Sequence, residues 1–454
     1  MDHIRTHNTH HARKSADHLC VITDGGVSAI DRVSQRNIRV RLGAEHHDQL
    51  FCQAHGLKRL LPGKSIDLHK DKKWRTLICS ITKNPETSMT PDAARKNSPE
   101  MKPRKKKKRQ FRQLFARSLQ RLARTRSGSA EFSGPLRSVA ILAQEKLGDC
   151  VLLTPLVRNL RQAFPDLEIH LITFSRASAN FFMNDPQVTA VHLVKKQPRR
   201  YFREVLSRKF DLLFNTKDHP STWFLLQSAL IRARFKVGHN NPFHEGLYDR
   251  LLDTEFHAHM AVKNCALLPL LGVTADTEAC RPSLPAMPVS NEIWQLLSRL
   301  AEDIRPIGVN ISAGEPNRLW TEAKWRALLE RFPGERFVVL SGPDDLDAKR
   351  RLEEQCPNAV ASPPTRNLYE ASCIVAKLRL LVTPDTSMVH VASATGTPVA
   401  GLYREAPQDI SRFGPYAIPY EIVISPTGEV SGIKPESVAD AVRRLMARAI
   451  GREA

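Results

Sequence analysis

Beyond about Arg137 the order of apolar and polar positions becomes regular. Apolar runs of strand length alternate with longer stretches in which apolar residues recur every three or four positions, which predicts strands and helices in turn. The first series of strand-like runs is SVAILAQ (138–144), EIHLIT (168–173), VTAVHLV (188–194), DLLFNT (211–216) and FKVG (235–238). Helical pattern fills the gaps, as in VLLTPLVRNLRQAF (151–164), and HMAVKNCALLPLLG closes the series near Gly272. RPSLPAMPVS (281–290) then sets three prolines in a short span, which marks a linker. A second series follows with PIGVNIS (306–312), RFVVLSG (336–342), LRLLVTP (378–384) and PVAGLY (398–403), and ESVADAVRRLMARA (436–449) reads as a terminal helix. Strands alternating with helices imply a parallel sheet covered on both faces, here twice. The expected class is α/β, with domains at 136–285 and 286–454 facing across a cleft that is the natural place for a ligand.

The first 135 residues lack this order. Apolar patches such as LCVITDGG and RTLICSIT show no sustained period, so this part is expected to be a basic, poorly structured extension. Nine of the 17 histidines fall in the first 80 residues, yet His10-His11 and His46-His47 are adjacent pairs without further ligands at metal-binding spacing. LPGKSID (61–67) holds a GKS, but Lys58 stands where a phosphate-binding loop needs its first glycine. Met89 and Met101 offer later translation starts, which would leave most of this segment unmade; the mass of the endogenous N-terminus distinguishes the cases.

Charge sharpens the division. The chain of 454 residues carries +21, which by itself suggests an anionic partner. Residues 1–100 hold 17 Lys+Arg against 11 Asp+Glu and residues 101–126 hold 12 against none, so +18 lies before residue 127 and the rest is nearly neutral. Within 101–126, Phe111, Leu114, Phe115, Leu119 and Leu122 share one helical face behind the basic run Lys105–Arg109. Such a helix, expected near 110–124, suits the surface of an anionic membrane or is a solvated basic tail that touches nothing specific, and suits a nucleic acid less, because no aromatic stacking platform accompanies the charge. The eight cysteines include no CxxC pair, which argues against a zinc site or disulfide framework and fits a reducing cytoplasm. No apolar run reaches the ~18 residues of a membrane span, and the N-terminus lacks a signal-peptide core.

Three loops at predicted strand ends could carry chemistry. In EKLGDCVLLTP, Asp149 opens a helix; it is either an N-cap or a general base projecting into the cleft. In NISAGEPNRLWTEAKW, the small residues Ser312, Ala313 and Gly314 admit a ligand to the backbone and Arg318 suits a phosphate, while Trp320 and Trp325 are expected to pack the following helix. In LLVTPDTSMVHVASATGTPVAGLY, Thr386 and Ser387 stand at a helix N-terminus suited to a diphosphate, His390 follows one turn on, and Asp385 suits sugar hydroxyls or a capping role. The acids of GPDDLDAKRR (342–351) are read as serving a helix start rather than a metal. No GxGxxG follows a strand, which argues against a dinucleotide dehydrogenase.

Together these loops resemble glycosyltransferase family nine, the ADP-heptose:lipopolysaccharide heptosyltransferases, over Arg137 to Ala449. LGDCVLLTPLVRNLRQAFPDLEIHLIT is similar to the family's opening, NISAGEPNRLW to its phosphate loop, and PDTSMVHVASATGTPVAGLY to its donor-site signature. The resemblance implies a GT-B fold of two Rossmann-like domains, acceptor in the first and nucleotide sugar in the second. It implies Asp149 as catalytic base, Arg318 in place of a phosphate-binding lysine, and Ser312, Gly314, Asp385, Thr386, Ser387 and His390 around the donor. Inverting transfer of heptose from ADP-heptose to a lipid-linked lipopolysaccharide core or related surface glycan would follow, with no metal or other cofactor, no specific nucleic acid, and a place at the cytoplasmic face of the inner membrane. Family members often carry Gly at the position of Ser387 and KRW or KHW where this chain has Arg318-Leu319-Trp320. The alternatives are transfer of another nucleotide-linked sugar to another polysaccharide, and a catalytically degenerate binding protein of the same fold.

Overall fold

The computed structural model describes Leu19–Thr23 and Gly26–Ile30, then residues 103–122 and 126–453 apart from 196 and 302–304. Residues 1–89 form a unit of their own, in which the first two segments pair as antiparallel strands with Leu19 opposite Ile30, in a stretch whose sequence shows no sustained period. Both adjacent histidine pairs and the GKS segment of the extension lie outside the described residues.

From residue 138 two six-stranded sheets follow one another. The first comprises β1 (Ser138–Leu142), β2 (Glu168–Thr173), β3 (Ala190–Leu193), β4 (Lys209–Asn215), β5 (Arg232–His239) and β6 (Arg250–Leu252), in the spatial order 3-2-1-4-5-6. The second comprises β7 (Ile307–Asn310), β8 (Phe337–Leu340), β9 (Ala359–Val360), β10 (Leu380–Pro384), β11 (Val399–Tyr403) and β12 (Tyr420–Ile424), in the order 9-8-7-10-11-12. Every pairing in both sheets is parallel. This is the doubly wound arrangement, whose strand order reverses between the two central strands and opens a crevice at their carboxyl ends.

Central strands buried on both faces must be apolar throughout. SVAIL of β1 and LLVTP of β10 are buried at all five positions. Successive residues serve opposite faces, as period-two geometry requires: Phe337, Val339, Leu380 and Val382 enter one core, Val338, Leu340 and Leu381 the other. The structure adds three strands absent from the sequence reading, β6, β9 and β12, each at or next to a sheet edge.

The basic helix is longer than expected, α1 at Pro103–Leu122, and part of its apolar face is used within the fold. Phe115 and Leu119 are buried where α1 packs on α3 (Thr222–Leu230), and Gln120 Nε2 donates to Glu245 O at 2.7 Å. The sequence TWFLLQSAL of α3 is apolar around most of its circumference, so it needs cover on the side away from the sheet. These two side chains are thus committed to the protein and cannot enter a bilayer, whereas Leu114 remains exposed. The ordered chain continues through Arg126 and Gly128, whose N–H groups bond to Gly246 and Tyr248, so it reaches further toward the N-terminus than residue 136.

Five histidines, His170, His192, His239, His244 and His390, are buried. Desolvation lowers all five, His192 and His239 to about 4 and His244 and His390 to about 3. In the unfolded chain they titrate near about 6.5. Below that pH the unfolded state therefore binds protons that the native state refuses, and stability falls as pH drops. The melting temperature is expected to decline steadily from pH 7 to pH 5 in a thermal-shift series, and a flat or rising profile over that interval would contradict the neutral burial of these rings.

Candidate active site

The two switch points are built from the same parts. In the first half, Thr216 Oγ1 donates to Leu142 O at 2.7 Å and Gln144 Nε2 to Thr216 O at 3.2 Å, tying the loops that leave β1 and β4. The β1 loop enters α2 (Leu147–Ala163), whose N-cap is Lys146, with no side-chain cap hydrogen bond. Asp149 is thus the third helical residue and not the cap. Its carboxylate is half-buried and makes no hydrogen bond or ion pair among the described residues.

Inside α2, Pro155 cannot donate to Val151 O. The Thr154 hydroxyl, whose one proton has Val151 O at 2.7 Å and Ser283 O at 3.0 Å as acceptors, stands there instead and accepts from Ser283 N. Asn159 Nδ2 and Arg158 Nη2 reach Ala279 O at 2.7 and 3.1 Å. The Thr-Pro pair therefore lets a helix with an internal proline hold the linker between the halves.

In the second half Asn310, buried at the end of β7, ties the loops that leave β7 and β10. Its Nδ2, with two protons to donate, has Thr383 Oγ1 at 3.0 Å, Ser312 O at 3.1 Å and Thr386 Oγ1 at 3.3 Å as acceptors. Thr386 is the N-cap of α5 (Ser387–Thr395), after α4 (Met260–Cys265), and its hydroxyl accepts from Met388 N at 3.2 Å, a bond worth about 1 kcal/mol. Gly396, at φ 78°, closes α5 in the left-handed conformation. The Thr386 hydroxyl thus accepts from Met388 N in the cap and from Asn310. Ser387, half-exposed beside it, has a hydroxyl with no partner among the described residues.

Ser312 Oγ accepts from Gly342 N at 2.7 Å, which holds the phosphate-loop candidate against the loop after β8. A Cβ at Gly314 would meet nothing within 4 Å, so open space lies over that backbone. Arg318 Nη1 lies 3.0 Å from both Asp385 Oδ2 and Asp385 O. Burial pushes the Asp385 carboxyl up to about 6, with Arg318 pulling it down and Asp409 pushing it up. Trp320 and Trp325 are buried edge to face, 4.7 Å apart, as core. Asp344, Asp345 and Asp347 stand at a helix start, and no group of three His, Cys, Asp or Glu comes together to hold a metal among the described residues.

The two switch points meet. A Cβ built on Gly148 would lie 2.9 Å from His390 Cδ2 and 3.7 Å from Ser387 Cα, so the first turn of α2 rests directly on the first turn of α5. His390 is 4% exposed, with Nδ1 unpartnered, and supports this contact from beneath; it does not face open cleft. Asp149 follows Gly148 in the same first turn of α2, the turn that rests on the N-terminus carrying Thr386 and Ser387.

The sequence model of glycosyltransferase family 9 (heptosyltransferase) matches residues 198–441, more than half of the chain. The chain belongs to this family. A family of unknown function also matches 107–265, a range that includes most of α1. Among named relatives, lipopolysaccharide heptosyltransferase 3 of Escherichia coli is 22% identical over 281 residues, 56% of this chain and 80% of that one. Lipopolysaccharide core heptosyltransferase OpsX of Haemophilus influenzae is 23% identical over 300 residues, 60% and 80% of the two chains. A family 9 glycosyltransferase from Veillonella parvula shares the fold at TM-score 0.54 and 20% identity, covering 70% of this chain and all of that one. An Escherichia coli heptosyltransferase solved with ADP does so at 0.52 and 16%, covering 69% and 99%.

Beyond the residues singled out from sequence, the geometry brings in Asn310, Lys146 and the buried carboxylate Asp218 at the end of β4. NTKDH, polar residues directly after an apolar strand, was the available signal for Asp218. Asp385 supplies a pH test of the seat. Protonating it below about pH 6 frees the Arg318 charge for an anionic ligand. ADP affinity measured by calorimetry from pH 5 to 7.5 is expected to rise relative to Asp385→Asn as pH falls, and parallel profiles for the two proteins would exclude this pairing as a modulator.

Proposed function

We propose that this family 9 member is an inverting transferase that moves heptose from ADP-heptose to a lipopolysaccharide core or a related surface glycan. The observation that carries the reading is the contact of α2 with α5, which sets an unpartnered carboxylate beside a helix N-terminus flanked by Arg318. Relatives named as lipopolysaccharide heptosyltransferases, and a shared fold solved with ADP, support the choice of donor and acceptor.

In this scheme the second half is the donor half. The diphosphate sits over the N-terminus of α5, where the helix dipole and the first-turn N–H groups favour negative charge, with Ser387 and the open backbone at Gly314 beside it. Arg318 neutralises charge that develops on the departing diphosphate. Asp149 takes the proton of the acceptor hydroxyl as it attacks from the first, acceptor half. The residues named supply base and charge stabilisation without a metal ligand or cofactor. The presence of Ser387 and Arg318-Leu319-Trp320 leaves a second reading, another nucleotide-linked sugar in the same seat.

Asp149→Asn is expected to lower kcat by about 10²–10⁴-fold while ADP affinity stays within about twofold; unchanged turnover would remove Asp149 from the role of base. In the same series ADP-heptose should stabilise the wild-type protein more than UDP, GDP or their sugars, and preference for another nucleotide sugar would move the assignment to the second reading.

The proposed location is the cytoplasmic face of the inner membrane, held by charge rather than by insertion. Lys105–Lys108 supply the attraction, at about 1 kcal/mol for each basic residue near an anionic surface. Among the described residues no helix is long and apolar enough to cross a membrane. Replacing the four lysines by glutamate is expected to abolish co-sedimentation with phosphatidylglycerol vesicles without lowering the melting temperature, and retained binding would sink the proposal.

A further inference from the structure

Between β11 and β12 the donor half extends a strap, residues 404–418, that lies on the acceptor half. Its root is bonded to the donor seat: Asp385 N donates to Leu402 O at 3.1 Å, and Arg404 Nη2 lies 3.4 Å from Asp409 Oδ2. Its middle is α6 (Pro407–Phe413), before the terminal helix α7 (Pro435–Glu453). From there it reaches across. Phe413 packs on Leu152 of α2 and on Met260 and Ala261 of α4. His259 Nε2 bonds to Gly414 O at 3.0 Å, the Tyr416 ring stacks on His259 at 4.8 Å, and Tyr416 Oη donates to Thr277 O at 3.3 Å.

The centre of this contact is ionic. Arg412 Nη2 lies 2.6 Å from Asp218 Oδ2, with the side chains 5% and 6% exposed. Asp218 has two further partners on its own half, Lys263 Nζ at 2.8 Å and His219 Nδ1 at 3.1 Å. Arg412, held over the rings of Phe256 and Phe413 at 4.6 and 5.4 Å, has no other carboxylate among the described residues. The asymmetry is informative. Undocked, the acceptor half keeps Asp218 paired with Lys263, whereas the donor half is left with an uncompensated guanidinium that must return to water. The pair therefore acts on the docking of the halves rather than on the folding of either. Asp218 follows β4, the neighbour of β1, and β1 leads into the turn that carries Asp149.

We propose that Arg412 and Asp218 are positioning residues for transfer: the pair docks the strap and so sets the register of Asp149 against the diphosphate seat. The proposal rests on reading the cleft as a transfer site. The test uses the full chain with Arg412→Met, Arg412→Lys and, free of any buried charge, Tyr416→Leu. ADP affinity reports on the donor half, steady-state kinetics with ADP-heptose and core acceptor report on transfer, and hydrogen exchange of residues 147–153 and 407–417 reports on docking.

The expected result for Arg412→Met is faster exchange in both segments, ADP affinity within about twofold of wild type and kcat at least about tenfold lower, with Arg412→Lys recovering most of the loss. If Arg412→Met does not fold, Tyr416→Leu is expected to show the same split in milder form. Unchanged kcat or unchanged exchange in a folded variant overturns the proposal, as does loss of ADP binding in step with kcat, which marks a merely structural role. Wild-type protein that transfers no heptose rejects the reading of the cleft instead, and the exchange comparison still decides whether the pair docks the halves.

Discussion

The absence of a side chain at position 148 is the condition on which the site depends. His390 fills the space a Cβ would need, so α2 can settle on α5 only because residue 148 is glycine. Each doubly wound half places its reactive loops at its own carboxyl edge, but neither edge alone holds both a base and an anion seat. The contact of Gly148 with His390 turns two separate edges into one site. It also explains why His390 is neutral: its ring is enclosed between two helices, where desolvation lowers it to about 3 and a charge would have no partner.

The rest of the interface is arranged so that this contact is held from several directions. Thr154 and Pro155 let α2 grip the linker at Ser283. The strap approaches from the other side with Arg412, Phe413 and Tyr416. Exposed pairs contribute little here: Lys146 and Glu315 also span the halves at 4.0 Å, but both are largely in water, and such pairs are worth about 0–1 kcal/mol. A buried pair is different, because parting the halves leaves Arg412 without a carboxylate while Asp218 keeps Lys263. On magnitude alone, the apolar contact and the buried ion pair decide how the halves sit, and the surface charges do not.

Much of this was legible in the sequence, and what was not has a physical reason. EIHLIT matches β2 residue for residue, and the runs around β1 and β10 overshoot by only two residues each, because central strands are uniformly apolar and end abruptly at polar loops. β6 and β9, of three and two residues, are too short to show a period. Asp149, Arg318 and Asp385 were visible because each stands on a short segment at a strand end. The pairing of Asp218 with Arg412 was not, since 194 residues separate them: NTKDH marks Asp218 only as a polar residue after a strand, and nothing local shows that it is buried against an arginine. The apolar face of α1 was visible, but its partner α3 lies more than a hundred residues away, so burial against protein and burial in lipid give the same pattern.

Asp385 and Asp149 both stand at the cleft, and their surroundings differ. Asp385 is buried, raised to about 6 and bonded to Arg318, so it is already committed and its protonation alters the charge offered to a donor. Asp149 is half-buried and unpartnered, at the start of a helix on the opposite half. A general base must be free to accept a proton from a hydroxyl that approaches it, and of the two Asp149 is the one whose carboxylate has no partner among the described residues. In the proposed scheme a free carboxylate on the acceptor side, with the cation and helix terminus on the donor side, suits a one-step displacement with inversion. It also makes the chemistry depend on the fit between halves. In the proposed scheme a base that reaches the acceptor hydroxyl only when α2 rests on α5 is off register whenever they part, which would tie turnover to the domain contact as closely as to the residues that line it.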